Sequence, residues 1–145
     1  MSLRPMTKAD APAVYAVSRA CGLGSWSLDS YEREAENPVA RYLVYETAGQ
    51  VVGFAGIWCV ADEAQVMNVG VLPEYRGQGF AAKLMAALWE TAVAEGCGVM
   101  TLEVRAGNAP AKALYQKQGF EVTGVRKDYY PGPEDGLMME RRRHE

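Results

Sequence analysis

The chain has 145 residues, 49% of them hydrophobic, and a formal net charge of −3. That length suits a single domain, residues 1–145, with a real core, and the acidic balance argues against a nucleic-acid partner, which selects for a basic face. No apolar run approaches the roughly 20 residues that span a bilayer, and Met1 to Asp10 lacks a signal-peptide core, so no membrane partner is expected.

Leu3 to Met6 reads as a short edge strand. Thr7 can cap a first helix running to about Ala20, with Asp10 in its first turn and Pro12 near its start. Cys21-Gly22-Leu23-Gly24 breaks it. Ser27 caps a short second helix, Leu28 to Glu36, which Asn37-Pro38 ends. Arg41 to Thr47 and Val51 to Val60 read as strands around the hairpin turn Ala48-Gly49-Gln50. Ala64 to Val71 is a third long strand. A helical pattern then runs from Phe80 to Glu95, with Leu84, Leu88, Trp89 and Ala92 on its apolar side and Glu95-Gly96 closing it. Val99 to Arg105 is a strand and Ala109 to Gln118 a short helix followed by Gly119. Phe120 to Arg126 and Leu137 to Arg141 form a final strand pair. The order β-α-α-β-β-β-α-β-α-β-β predicts an α/β sheet of mixed direction.

Cys21, Cys59 and Cys97 are odd in number and widely spaced, so they form neither a zinc signature nor a disulfide framework. Cys59 reads as a small core residue in an apolar strand. A reducing cytoplasm suits this usage.

Arg76-Gly77-Gln78-Gly79-Phe80-Ala81 carries the most chemistry. It lies between an apolar strand and a helix start, where backbone N–H groups lack internal partners and the helix dipole favours negative charge. Gly77 and Gly79 let the backbone approach a ligand, and Arg76 adds a permanent charge. The expected ligand carries phosphate, a pyrophosphate. Three families use such a turn. A P-loop needs Gly-Lys-Ser/Thr, and Ala81-Ala82-Lys83-Leu84 lacks the hydroxyl that holds magnesium. Gly77 to Ala82 also fits the dinucleotide pattern G-x-G-x-x-G/A, with Glu103 about 20 residues later. Half the chain precedes it, however, and little follows Glu103. Arg76-x-x-Gly79-x-Ala81 fits the Q/R-x-x-G-x-G/A pattern of acyl-CoA sites in the GNAT acetyltransferase superfamily. The plain alternative is a helix start whose glycines serve only the turn.

Val99, Thr101, Glu103 and Arg105 share one face of their strand, and Met100, Leu102 and Val104 the other. A central strand covered on both sides should be apolar on both faces, so Glu103 points either into a cleft or to solvent. Tyr115 can be a core aromatic and Asn108 a helix cap. His144, the only histidine, lies in a charged tail, so no histidine-based triad can be built.

Over most of its length the chain resembles the RimI-type GNAT enzymes, which acetylate the N-terminal alanine of a small-subunit ribosomal protein. The matching segments are Asp62-Glu63-Ala64, Asn68-Val69-Gly70-Val71, Pro73 to Gly79, Leu102-Glu103-Val104-Arg105 with Asn108-Ala109, Ala113-Leu114-Tyr115 with Gly119-Phe120, and Arg126-Lys127-Asp128-Tyr129-Tyr130-Pro131. The resemblance implies a GNAT-type mixed, mostly antiparallel twisted sheet flanked by helices. It implies acetyl-CoA as co-substrate and no metal. Val69, Gly70 and Val71 would pair with the pantetheine arm through their backbone. Arg76, Gly77, Gln78, Gly79, Phe80, Ala81 and Ala82 would cradle the pyrophosphate, and Asn108 would contact the cofactor near the thioester. Glu103 would accept the amine's proton and Tyr115 donate one to the leaving thiolate. Trp26-Ser27 matches a pair near the peptide groove. The implied partner is a protein N-terminus; nothing in the sequence demands an assembly, so a monomer is expected. Gly70, Gly107 and Ser25 depart from the family's usual alanine, serine and proline, which loosens the peptide substrate more than the cofactor. The alternatives are a GNAT enzyme for small amines or lysines, a non-catalytic CoA-binding module, and a dinucleotide oxidoreductase.

Overall fold

The computed structural model describes residues 2–23 and 26–143; Gly24, Ser25 and His144 lie outside the described residues. In chain order the elements are β1 (Ser2–Pro5), α1 (Ala11–Ala20), α2 (Leu28–Glu34), β2 (Ala40–Thr47), β3 (Gln50–Val60), β4 (Glu63–Val71), α3 (Phe80–Ala94), β5 (Val99–Arg105), α4 (Ala109–Lys117), β6 (Glu121–Tyr130) and β7 (Glu134–Arg142). The seven strands form one sheet, ordered β1-β2-β3-β4-β5-β7-β6. Only β4 and β5 run parallel. This is the sheet of mixed direction that the element order predicts, and the mostly antiparallel, helix-flanked form that the resemblance implies. A lone parallel pair also removes the dinucleotide alternative, which needs a doubly wound parallel sheet.

Thr7 does not cap α1 directly. It precedes a single 3-10 turn, Lys8–Asp10, and α1 starts at Ala11. Asp10 fixes that start. Its carboxylate accepts from the Thr7 backbone N–H at 2.7 Å and from Arg4 Nη1 and Nη2 at 2.8 and 2.9 Å. The Arg4 fork holds the Asp10 carboxyl down at about 2. Because the folded-state value is depressed, the stabilisation is present above the ordinary carboxylate range and is lost as pH falls through about 2. Asp10→Asn should therefore lower the unfolding free energy by about 2 kcal/mol at neutral pH, with the gap from wild type closing between about pH 4 and about pH 2. Urea denaturation across that range measures it.

Other departures from the expected boundaries are equally local. α2 stops at Glu34, two residues early, because Asn37 turns back: its N–H donates to the Glu34 carbonyl and its Nδ2 to Glu34 Oε1. β6 continues four residues past Arg126. Asp128 takes φ 54° and its N–H donates to Asp135 Oδ1 at 2.9 Å, so a bulge absorbs the charged residues that would otherwise end the strand. Trp89 is half-buried, with the Arg141 guanidinium 4.0 Å from its ring centre, while Met85 takes a fully buried place on α3. Cys97 rather than Cys59 is the buried cysteine. Cys59 sits next to the exposed end of β3 and packs on the rim of the core.

One core lies between α3 and the sheet, where Leu84, Met85, Leu88 and Ala92 meet Ile57, Met100, Leu102, Phe120 and Met139. On the other face α1 and α2 bury Val14, Val17 and Tyr31 against Tyr42, Val44 and Phe54. Met100, Leu102 and Val104 of β5 are buried, and Glu103 and Arg105 are exposed. Among the described residues no helix is long and apolar enough to cross a membrane.

Candidate active site

The site is built around a fork. β4 pairs with β5 only where Glu63, Ala64 and Gln65 face Val99, Met100 and Thr101. Beyond Gln65 the two strands part. The cause on the β4 side is a bulge: Ile57 faces Val66 and Gly56 faces Asn68, which leaves Met67 as an extra residue and turns the strand. Val69, Gly70 and Val71 consequently have strand partners on β3 alone, namely Ala55, Phe54 and Gly53. Their other side lines a cavity.

That first cavity has a volume of about 730 Å³. Val69, Gly70, Val71, Arg76, Gly77, Gly79, Phe80, Ala81, Ala82, Asn108 and Tyr115 all line it, so it gathers residues that lie far apart in sequence. Gln78 does not line it and is exposed in the turn. Gly77 and Gly79 adopt φ 78° and 82°, the left-handed region that favours glycine. Gly79 is the residue before α3 and has no side chain to cap it, which leaves the first N–H groups of that helix free for an anion. Arg76 is turned inward at its base: its Nε donates to the Val71 carbonyl at 3.2 Å and ties the loop to the end of β4. Cys21, Leu23, Pro110, Ala111 and Leu114 add an apolar wall that the sequence did not reveal. Asn108 caps α4, its Oδ1 accepting from the Ala111 N–H at 3.2 Å, and lines the cavity as well.

Tyr115 reaches the first cavity from α4, its ring 5.8 Å from that of Phe120. Burial raises its pKa, with Tyr130 adding to the rise, so the hydroxyl keeps its proton at neutral pH. Glu103 lies elsewhere, in a second cavity of about 560 Å³ with Glu63, Gln65, Thr101, Arg126, Tyr130 and Glu140 in its lining. Glu103 Oε1 forms an ion pair with Arg126, its Nε 3.4 Å away. The Arg126 and Glu103 side chains are 49% and 32% exposed, so solvent screens the pair and it orients more than it stabilises. Tyr130 links the two cavities electrostatically. Burial and then Glu103 raise the Tyr130 pKa, and Tyr130 in turn raises that of Tyr115. Arg105 stacks over Tyr130 at 4.4 Å and Arg126 over Tyr129 at 5.3 Å, which frames the rim in aromatic and cationic groups.

Arg126 and Tyr130 as neighbours of Glu103 are invisible in the sequence, since they meet it only because β7 lies between β5 and β6. Among the described residues no cluster of three or more His, Cys, Asp or Glu could hold a metal ion.

Residues 11–120 match the profile of the acetyltransferase (GNAT) family. A Bacillus subtilis protein, named provisionally as a ribosomal protein bS18-alanine N-acetyltransferase, is 39% identical over 95% of this chain and 93% of its own. The Escherichia coli ribosomal protein bS18-alanine N-acetyltransferase is 36% identical over 90% of this chain and 89% of its own. Among solved structures, the E. coli ribosomal-protein-S18-alanine N-acetyltransferase superposes with a TM-score of 0.90 at 30% identity, covering 97% of this chain and 92% of the other.

Proposed function

The chain belongs to the acetyltransferase (GNAT) family, and from that membership we propose that it is a single acetyltransferase domain, residues 1–145, which acetylates the N-terminal α-amine of a protein, the N-terminal alanine of a small-subunit ribosomal protein, by direct attack in a ternary complex. One structural observation carries the reading. The fork leaves Val69–Val71 without a strand partner toward the first cavity, beside an uncapped helix start, while Glu103 opens onto a second. The first cavity suits the donor and the second the acceptor. The free N–H groups of α3 suit a pyrophosphate, and the apolar wall of Leu23, Leu114 and Pro110 suits the pantetheine arm.

Acetyl-CoA, the family's acetyl donor, supplies a thioester whose acyl carbon accepts an amine and whose sulfur departs as a thiolate. The chain's own residues manage protons and charge around it. An amine must be neutral to attack. An α-amine has a pKa of about 7.7–8.0 and a lysine about 10.4, a gap worth about 3.5 kcal/mol. Glu103, held by Arg126, takes the proton from the incoming ammonium, directly or through one water, and this task is lighter for the α-amine than for lysine. The backbone along the unpaired edge of β4 polarises the carbonyl oxygen. Tyr115, kept protonated by burial, donates to the departing sulfur. A thiol of pKa about 8.5 already leaves readily near neutral pH, so Tyr115→Phe should lower kcat by only about tenfold. Steady-state kinetics at saturating acetyl-CoA measure that loss, and an unchanged kcat assigns the donation to water.

The same reading has the protein act as a monomer in the cytoplasm, without nucleic-acid or membrane partners; the net charge of −3 argues against nucleic acid, and three free thiols suit a reducing compartment. Mass spectrometry of a peptide panel tests the substrate. An Ala-initiated ribosomal peptide should be acetylated at its α-amine, and preferential turnover of internal lysines or polyamines overturns the reading.

A further inference from the structure

Glu103 on β5 lines the second cavity and Tyr115 on α4 the first, and only Ala106, Gly107 and Asn108 join the two elements. The β5–β7 ladder runs out inside this joint. Arg105 faces Gly136, and the Ala106 N–H donates to the Asp135 carbonyl at 2.9 Å. In the same register Gly107 falls opposite Glu134, and there a side chain takes over from the backbone: the Gly107 N–H donates to Glu134 Oε2 at 2.7 Å. The other oxygen, Oε1, accepts from Arg105 Nη1 at 3.2 Å. One carboxylate thus holds the last residue of β5 and the middle residue of the joint, and its charge strengthens both bonds. A Cβ on Gly107 would lie 2.5 Å from Glu134 Oε2, so any side chain there would push the carboxylate off the N–H.

Both cavities depend on what Glu134 holds. Arg105 stacks over Tyr130, which lines the second cavity. Gly107 precedes Asn108, which caps α4 and lines the first. Packing alone fixes α4 weakly: none of its residues is fully buried, and it leans on the core through half-buried Ala111 and Tyr115. Its far end is tied to α3, where Gln118 Nε2 donates to the Ala82 carbonyl at 2.8 Å. Its near end is tied by the joint, and Glu134 is the side chain that reaches the joint from outside. Glu134 itself lines neither cavity.

We propose that Glu134 is a positioning residue for acetyl transfer: its carboxylate fixes Gly107 and Arg105 and so sets α4, with Asn108 and Tyr115, relative to Glu103 on β5. This rests on the assignment of the donor and acceptor cavities under the proposed function. Glu134 acts through the residues it holds and touches neither substrate.

Two variants break the hold from opposite sides. Glu134→Ala removes the carboxylate. Gly107→Ala keeps it and displaces it from the N–H, and because Gly107 has no positive φ, alanine fits the backbone without strain. In each, kcat at saturating substrates should fall about tenfold, while acetyl-CoA affinity by calorimetry stays within about twofold of wild type. The double variant should lose no more than Glu134→Ala alone, as expected when both changes remove one interaction. A merely structural carboxylate would lower Tm and leave kcat in place. Hydrogen exchange needs no turnover: the Gly107 amide should exchange about tenfold faster in Glu134→Ala. Unchanged exchange at Gly107 overturns the proposal whatever amine the enzyme acetylates. Wild-type kcat in either variant, or additive losses in the double, overturns it as well. Faster exchange with the same tenfold loss, seen on an amine other than a protein α-amine, upholds Glu134 and refutes the substrate assignment alone.

Discussion

Glu103→Gln should lower kcat/KM for an α-amine substrate by roughly 10²–10⁴-fold near neutral pH, the usual weight of a positioned general base. Glutamine keeps the size of the side chain, but it is neutral and cannot take a proton. The loss should shrink as pH rises, because above about pH 8 much of the free α-amine is already neutral and needs no base. Wild type should fall off less steeply on the acid side, since it can collect the proton after the peptide binds. A pH profile of kcat/KM from 6 to 9 for both proteins reads the difference directly. If the variant keeps full kcat/KM across that range, Glu103 has no part in proton transfer. A substrate with a lysine amine gives the matching control: its higher pKa should leave the variant's deficit undiminished at about pH 9.

The second large effect concerns the donor. Gly79→Val should weaken acetyl-CoA binding by about 100-fold, in line with the loss of one or two charge-assisted hydrogen bonds. Gly79 sits at φ 82°, and a Cβ there meets nothing within 4 Å, so it would project into open space beside the uncapped start of α3. Valine would both resist the backbone conformation and stand where phosphate approaches. Strain and lost contact can be separated. Gly49, in the β2–β3 hairpin, has φ 76° and equally open surroundings but lies outside the donor cavity. Gly49→Val should cost similar stability and leave acetyl-CoA affinity untouched. Calorimetric titration of both variants, with circular dichroism to show that each is folded, decides the matter. Equal losses of affinity would mean that backbone strain alone explains the effect.

What could be read in advance follows a physical line. α3 and β5 were legible because each carries a complete local signal: a glycine at the start of an apolar helical stripe, and a strict two-residue alternation from Val99 to Arg105. The tight turn before α3 was legible because Gly77 and Gly79 report a backbone conformation that other residues avoid. The polar face of β5 raised Glu103 as a candidate but could not separate a cleft from bulk solvent. That distinction needs the order β5-β7-β6, which brings Arg126 and Tyr130 over from the far end of the chain. Nor is any signal for the bulge at Met67 visible, since Val66-Met67-Asn68 reads as ordinary strand; the bulge exists only relative to β3. The bulge at Asp128 was hidden for the opposite reason. Arg126-Lys127-Asp128 looks like the end of a strand, and it continues only because Asp135 accepts the Asp128 N–H from the neighbouring strand.

The fork between β4 and β5 also joins folding to metabolite supply. Under the proposed function the donor sits at that fork; an unfolded chain has no parted strands and no helix start to offer, so the donor should bind the native state alone. Mass action then adds to native stability with every rise in donor concentration, reaching about 2.7 kcal/mol at 100 times the dissociation constant. For a domain of this size that is a substantial share of a total of roughly 5–15 kcal/mol. Under the proposed function, the melting temperature should therefore rise with acetyl-CoA concentration.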